Sequence, residues 1–281
     1  MTMRIRESTG DAGRVTSWGS GPEVVFLSNP LADPRWWTEP VRSSLVAAGF
    51  TVTALEHEAS SPDWRTVVDA VGTFVRGRGA PVSLVGWSLG ATIAQEVTLA
   101  LPEYVSCAAL LAPYGRQSEI DRVLQQCWQV LGEDSDALDP VRLALGLLTA
   151  FPATKLADDE FVAHMRSIQP QWSGRAHPTK RRLAAEYIAG YQDRLTAISQ
   201  ISRPCLVMGF ELDIDTFAAR AREVAEAIPN AQYVELADTG HVAPVSHPDD
   251  VWPVVMDFLR RHSSALSVRV LAGDSTPPED R

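Results

Sequence analysis

A doubly wound α/β sheet, mostly parallel, is the fold this sequence predicts, and three observations carry the prediction. Short apolar runs alternate with helix-like stretches along most of the chain. The apolar runs are continuous rather than alternating, as expected of strands covered on both faces. Two of the intervening stretches open with proline followed by aspartate, Pro62-Asp63 and Pro248-Asp249. Proline suits the first helical turn, and a carboxylate there meets the positive end of the helix dipole.

Taken in order, strands are predicted at Glu23–Ser28, Thr51–Leu55, Val82–Gly86, Cys107–Ala112, Cys205–Gly209 and Gln232–Leu236. Helices are predicted at Trp36–Ala48, Asp63–Arg76, Leu89–Leu101, Thr216–Ile228 and Asp249–Arg261. Strand–helix alternation of this kind builds a parallel sheet with helices on both sides. From about Tyr114 to Ser199 the rhythm breaks. Arg116–Leu131, Pro140–Ala150, Asp158–Ile168 and Thr179–Ile198 all read as helices, joined by loops at Gly132–Asp136 and Pro170–Pro178. The expected organisation is a core of residues 1–113 and 200–262 carrying a helical insertion at 114–199. The stretch 263–281 ends in Gly-Asp-Ser-Thr-Pro-Pro-Glu-Asp-Arg and reads as a disordered tail.

Composition bounds the function. The chain has 281 residues, 45% hydrophobic and 21% charged, an ordinary globular balance. Its net charge of −10 repels phosphates and argues against nucleic-acid or anionic-membrane partners. No apolar run approaches the ~18 residues of a membrane span. The start, Met1-Thr-Met-Arg-Ile-Arg-Glu-Ser8, has no apolar signal core, so a cytoplasmic protein is expected. Three cysteines, Cys107, Cys127 and Cys205, make no disulfide framework, and no Cys/His cluster has zinc spacing. Neither metal nor cofactor is expected, and the oligomeric state is not legible.

The sharpest local signal is Gly86-Trp87-Ser88-Leu89-Gly90. A strand enters it and a helix leaves it, the setting in which a serine on a sharp, strained turn projects from the sheet's carboxyl edge. An ordinary serine hydroxyl is a weak nucleophile and needs a base, and the base needs an orienting carboxylate. His241, in Ala237-Asp-Thr-Gly-His241, follows the last strand and so ends at the same edge. His247 is the weaker candidate; His57, His164, His177 and His262 have unremarkable surroundings. For the acid, Glu211, Asp213 and Asp215 compete in the loop after Cys205–Gly209, and Asp213 is the first choice. Helix capping is the competing role for Asp213.

With these residues in place the chain resembles the α/β-hydrolase superfamily. The order Ser88, Asp213, His241 is that family's order of nucleophile, acid and histidine. The helical insertion resembles its cap, and Gly240-His241 with His247-Pro-Asp-Asp250 resembles its histidine loop and final helix. The resemblance spans roughly residues 14–262. It implies that Leu89 N–H and a second backbone donor form an oxyanion hole. That donor usually follows a His-Gly pair, yet here the segment is Ser28-Asn29-Pro30-Leu31. Proline has no N–H, so Leu31 N–H or the Asn29 amide would serve. A second departure is Ser246, where relatives often carry an acid.

The implied activity is hydrolysis of an ester or thioester of a small or medium apolar molecule. The altered oxyanion segment leaves an alternative open: elimination, cyclisation or acyl transfer in natural-product biosynthesis, such as loss of acetate by a lyase. Trp36, Trp37, Trp87, Trp128, Trp172 and Tyr187 are candidates for an apolar cleft between core and cap, against the alternative that each simply packs the core. The Lys180-Arg-Arg182 run reads as a solvated helix face.

Overall fold

The computed structural model describes residues 5–10, 13–27, 34–56, 63–131, 136–172 and 186–271. Its centre is one eight-stranded sheet in the order β1-β2-β4-β3-β5-β6-β7-β8. The strands are β1 (Ile5–Gly10), β2 (Gly13–Gly19), β3 (Glu23–Leu27), β4 (Thr51–Glu56), β5 (Val82–Trp87), β6 (Val105–Leu111), β7 (Cys205–Phe210) and β8 (Gln232–Leu236). From β3 to β8 every pairing is parallel, with Leu84 opposite Val25 and Ala108 at the centre. The six predicted strands are present, with ends moved by at most two residues.

The sequence reading missed β1 and β2. They form an antiparallel hairpin that joins the sheet through β2 and β4. Both are rich in polar residues, Arg-Glu-Ser-Thr in one and Arg-Val-Thr-Ser-Trp in the other. A search for continuous apolar runs passes over strands of that kind, which antiparallel sheet edges tolerate because one face can meet water.

Two apolar layers cover the sheet. On one face Val25, Leu84 and Leu110 pack with Val67, Val71 and Val75 of α2 (Trp64–Arg76) and Ile93 and Val97 of α3 (Leu89–Ala100). Val224 of α10 (Ala218–Ala227) completes that layer. On the other face Phe26, Val85 and Leu111 pack with Trp37, Val41 and Leu45 of α1 (Pro34–Ala47). Trp252, Val255 and Phe258 of α12 (Pro248–Leu271) lie beside them. Val24, Val25, Phe26 and Leu27 are each fully buried, which is why this strand has no polar face.

Between β6 and β7 the described residues contain only helices. These are α4 (Glu119–Leu131), α5 (Asp139–Ala150), α6 (Ala153–Leu156), α7 (Asp159–Trp172), α8 (186–190) and α9 (Leu195–Ile198), with a 3-10 turn at Asp136–Leu138. A buried polar cluster fastens the end of this insertion to α3. Arg194 Nε and Nη2 donate to the Glu96 carboxylate at 3.0 and 2.8 Å, and Tyr191 Oη donates to Glu96 Oε1 at 2.7 Å. Glu96 is only 4% exposed, so its charge is tolerated because both oxygens are paired. A four-residue helix α11 (Ala243–Ser246) precedes α12.

The stretch 263–281, expected as a tail, begins in helix. α12 runs on to Leu271, ten residues past the predicted end. Ser263 is 3% exposed, and its hydroxyl pairs with Ser83 Oγ of β5 at 2.6 Å. That buried contact falls on the first residue of the expected tail. Residues 272–281 lie outside the described residues, as do 132–135 and 173–185 with the Lys180–Arg182 run.

Candidate active site

Ser88 sits between β5 and α3 with φ 56° and ψ −125°, a conformation that favours glycine. Holding a side-chain-bearing residue there costs about 1–3 kcal/mol, which the surrounding packing must supply. Ser88 N–H donates to Leu111 O of β6 at 2.8 Å, and Ser88 O accepts from Ala91 N–H and Thr92 N–H at 2.9 and 3.2 Å. The turn is tight because of Gly86. A Cβ there would lie 2.4 Å from Gly90 O and 2.6 Å from Ala91 Cα, so only glycine lets α3 approach β5. Leu89 opens α3, and its N–H is among the helix's first four, which have no partner within the helix.

The loop with the three candidate carboxylates follows β7 at the same sheet edge. Asp213 is 1% exposed and all its carboxylate interactions are internal. Oδ1 accepts the backbone N–H groups of Asp215 and Thr216 at 2.8 and 2.9 Å, while Oδ2 accepts His241 Nδ1–H at 2.8 Å. Asp215, two residues on, reaches the other side of the ring, with Oδ2 3.3 Å from His241 Nε2. Its side chain keeps 32% exposure. Glu211, the third competing carboxylate, is exposed and accepts Asp238 N–H at 2.9 Å, stitching the two loops together.

The His241 loop is held from three directions. Thr239 O accepts Leu212 N–H at 2.8 Å, Trp87 Nε1–H donates to His241 O at 3.0 Å, and Val242 N–H donates to Ala150 O at the end of α5 at 3.3 Å. Trp87 also lays its ring 5.5 Å from the imidazole, centroid to centroid. The residue before Ser88 thus packs directly on His241. No hydrogen bond joins Ser88 Oγ to His241 among the described residues; Nε2 faces Asp215.

Electrostatics follow from this sandwich. Burial pushes the His241 pKa down, but the charges of Asp213 and Asp215 and the Asp213 hydrogen bond outweigh it and lift it to about 9. Burial raises the Asp215 carboxyl above its ordinary value; the His241 charge opposes this, and the charges of Asp213 and Asp121 add to it. The two shifts differ in cause: carboxylate charge lifts the imidazole, and burial lifts the Asp215 carboxyl.

The other predicted residues divide. Trp37 is fully buried, its ring 5.2 Å from Phe26, 5.7 Å from Trp87 and 5.8 Å from Trp252, so it packs the core. Tyr187 is 1% exposed, within the layer that holds α2 and α3. Trp128 is half-buried on α4. Trp36 and Trp172 lie in α1 and α7, their side chains outside the described residues. Asn29 and Leu31 also fall outside the described residues. His164 is exposed, and His247 Nδ1 meets its neighbour Ser246 Oγ at 2.8 Å. His57 and His177 lie outside the described residues. What sequence reasoning missed is the double contact on His241. The spacing Asp213-x-Asp215 was its signal, since an aspartate whose carboxylate binds the N–H two residues on aims the second side chain back over the turn. Among the described residues no group of three or more His, Cys, Asp or Glu could hold a metal ion, and no helix is long and apolar enough to cross a membrane.

The comparisons with known proteins give the family. The profile of the alpha/beta hydrolase family matches residues 18–254, and the chain belongs to that family. BpoC of Mycobacterium tuberculosis, named as a candidate non-heme bromoperoxidase, is 30% identical over 249 residues, 85% of this chain and 94% of its own. Its crystal structure superposes with a TM-score of 0.79 over 93% of this chain and 97% of its own, at 26% identity. A pyrrolizixenacetamide deacetylase of Xenorhabdus hominickii is 27% identical over 258 residues, covering 86% of this chain and 92% of the relative. The rhodomycin D methylesterase DnrP of Streptomyces peucetius is 23% identical over 283 residues, covering 87% and 94%. This chain is an α/β hydrolase.

Proposed function

We propose that this α/β hydrolase is a serine-dependent esterase acting on an ester or thioester of a small or medium apolar molecule. Ser88 is the nucleophile, His241 the base and Asp213 the acid that orients it. The observation that carries the reading is the grip of fully internal Asp213 on His241 Nδ1, in a loop that Trp87 ties to the strained serine turn. Neutral His241 accepts the Ser88 proton at Nε2 as Oγ bonds to the substrate carbonyl carbon. Asp213 stabilises the imidazolium so formed. Leu89 N–H, at the start of α3, donates to the developing oxyanion. The imidazolium then protonates the leaving alcohol or thiol, and water deacylates Ser88 by the reverse proton path. The helical insertion, residues 114–199, acts as a cap, and half-buried Trp128 is its candidate apolar wall.

The names of the relatives support small acyl and alkyl groups as the parts exchanged. The test is turnover of p-nitrophenyl acetate and butyrate, with mass-spectrometric capture of a fluorophosphonate adduct. The expected result is one adduct on Ser88 and a loss of at least about a thousandfold in kcat/KM for Ser88→Ala. Full turnover in Ser88→Ala, with no adduct on the wild type, would overturn the reading.

A further inference from the structure

His241 has two carboxylate neighbours where its proposed role needs one. Asp213 serves Nδ1 from a site with no exposure, and both its oxygens are occupied. Asp215 stands 3.3 Å from Nε2, the nitrogen that must accept the serine proton. The contact is built rather than incidental. Asp215's own N–H donates to Asp213 Oδ1 at 2.8 Å, so one turn places both side chains, one on each side of the ring. The imidazole plane is fixed as well, by Trp87 against its face and by the Trp87 hydrogen bond to His241 O.

We propose that Asp215 is a positioning residue, which holds His241 Nε2 in the resting enzyme and sets the pH at which His241 becomes a base; this rests on the Ser88–His241–Asp213 reading above. While Nε2 carries its proton, the imidazolium sits between two carboxylates and has no lone pair for the serine. Loss of that proton to solvent leaves a lone pair on Nε2. It also removes the attraction to Asp215, and the freed nitrogen accepts the Ser88 proton. The charged and titratable groups around this switch are few. Asp213 lies on the same loop and Asp215 faces the ring. Asp121, near the start of α4 in the insertion, adds negative charge at Asp215. Tyr114, in the segment after β6, stays neutral because burial, opposed by the Thr92 hydroxyl and supported by the charges of Asp121 and Asp215, raises its phenol. Among these described groups His241 is the one cation, and the carboxylates pull on its proton.

The sign is then fixed. Removing the Asp215 charge weakens the protonated form of His241, so the base becomes available at lower pH. Asp215→Asn keeps the shape and removes the charge, and its effect at neutral pH is a gain of activity. The experiment uses the full chain and two readouts. One is kcat/KM for p-nitrophenyl acetate from pH 5 to 10, corrected for spontaneous hydrolysis. The other is the titration of 15N-labelled imidazole signals by NMR, with His241 assigned by its loss in His241→Gln. In the wild type both should follow a group near about 9. In Asp215→Asn both should move together to lower pH, with the alkaline plateau kept and kcat/KM at pH 7 raised about tenfold for each unit moved. Asp215→Ser, followed by thermal melting, guards against a folding defect in the first variant and should move both readouts the same way. A folded Asp215→Asn or Asp215→Ser whose acid limb and imidazole titration stay at the wild-type pH would overturn the proposal. Should Ser88→Ala keep full turnover, the nucleophile reading falls, while the imidazole titration still judges Asp215 by itself.

Discussion

The loops after β5 and β7 solve the same problem, holding one side chain at the sheet's carboxyl edge, by opposite means. The β5 loop works by absence. Gly86 has no Cβ where one would strike Gly90 O at 2.4 Å, and Ser88 is driven into a positive φ by the close approach of α3. The β7 loop works by saturation. Asp213 has no strain to hold it; three hydrogen bonds do. The lesson is that a serine proposed as nucleophile can be placed by sterics because its hydroxyl must stay free. A buried carboxylate must be placed by donors, because an unpaired charge there would be far more costly than strain.

The comparison breaks hardest at Asp213, the proposed acid. Asp213→Asn should lower kcat by about a thousandfold or more, because an amide can present N–H to Nδ1 and favour the wrong tautomer. Steady-state kinetics at the wild-type optimum checks this. The opposite sign expected at Asp215, two residues away, sharpens the distinction between the ring's two nitrogens. Next comes the steric loop. Gly86→Ala forces a methyl group against the α3 backbone and should destabilise the fold by about 3 kcal/mol, read as a lower urea midpoint with unchanged m. The smallest effect is at the tie between the loops. Trp87→Phe keeps an aromatic ring near His241 and loses the hydrogen bond to His241 O, worth about 1 kcal/mol. It should appear as a Tm lower by a few degrees and a modest fall in kcat.

Much of this was legible in the chain, and the misses have physical causes. β3 and β5 to β7 were readable because burial on both faces forces continuous apolar runs, and each of these strands is fully or almost fully buried. The β1–β2 hairpin was not, since an edge pair needs only one apolar face. The end of α12 was hidden because Ser263 looks like a tail residue until Ser83 is known to face it. Trp37 looked like a cleft residue because it follows a catalytic-looking loop, yet three aromatic partners from β3, β5 and α12 enclose it.

By itself the sequence determined the sheet, the helical insertion and the shortlist of serine, histidine and carboxylates, because periodicity and glycine spacing are local and survive in one dimension. It left Glu211, Asp213 and Asp215 unranked by any contact. Only the tertiary structure decided that Asp213 meets Nδ1, Asp215 meets Nε2 and Glu211 stitches loops. That choice depends on which way three side chains of one loop turn toward the loop after β8, and the direction is fixed by hydrogen bonds and burial that exist only once β7 and β8 lie side by side.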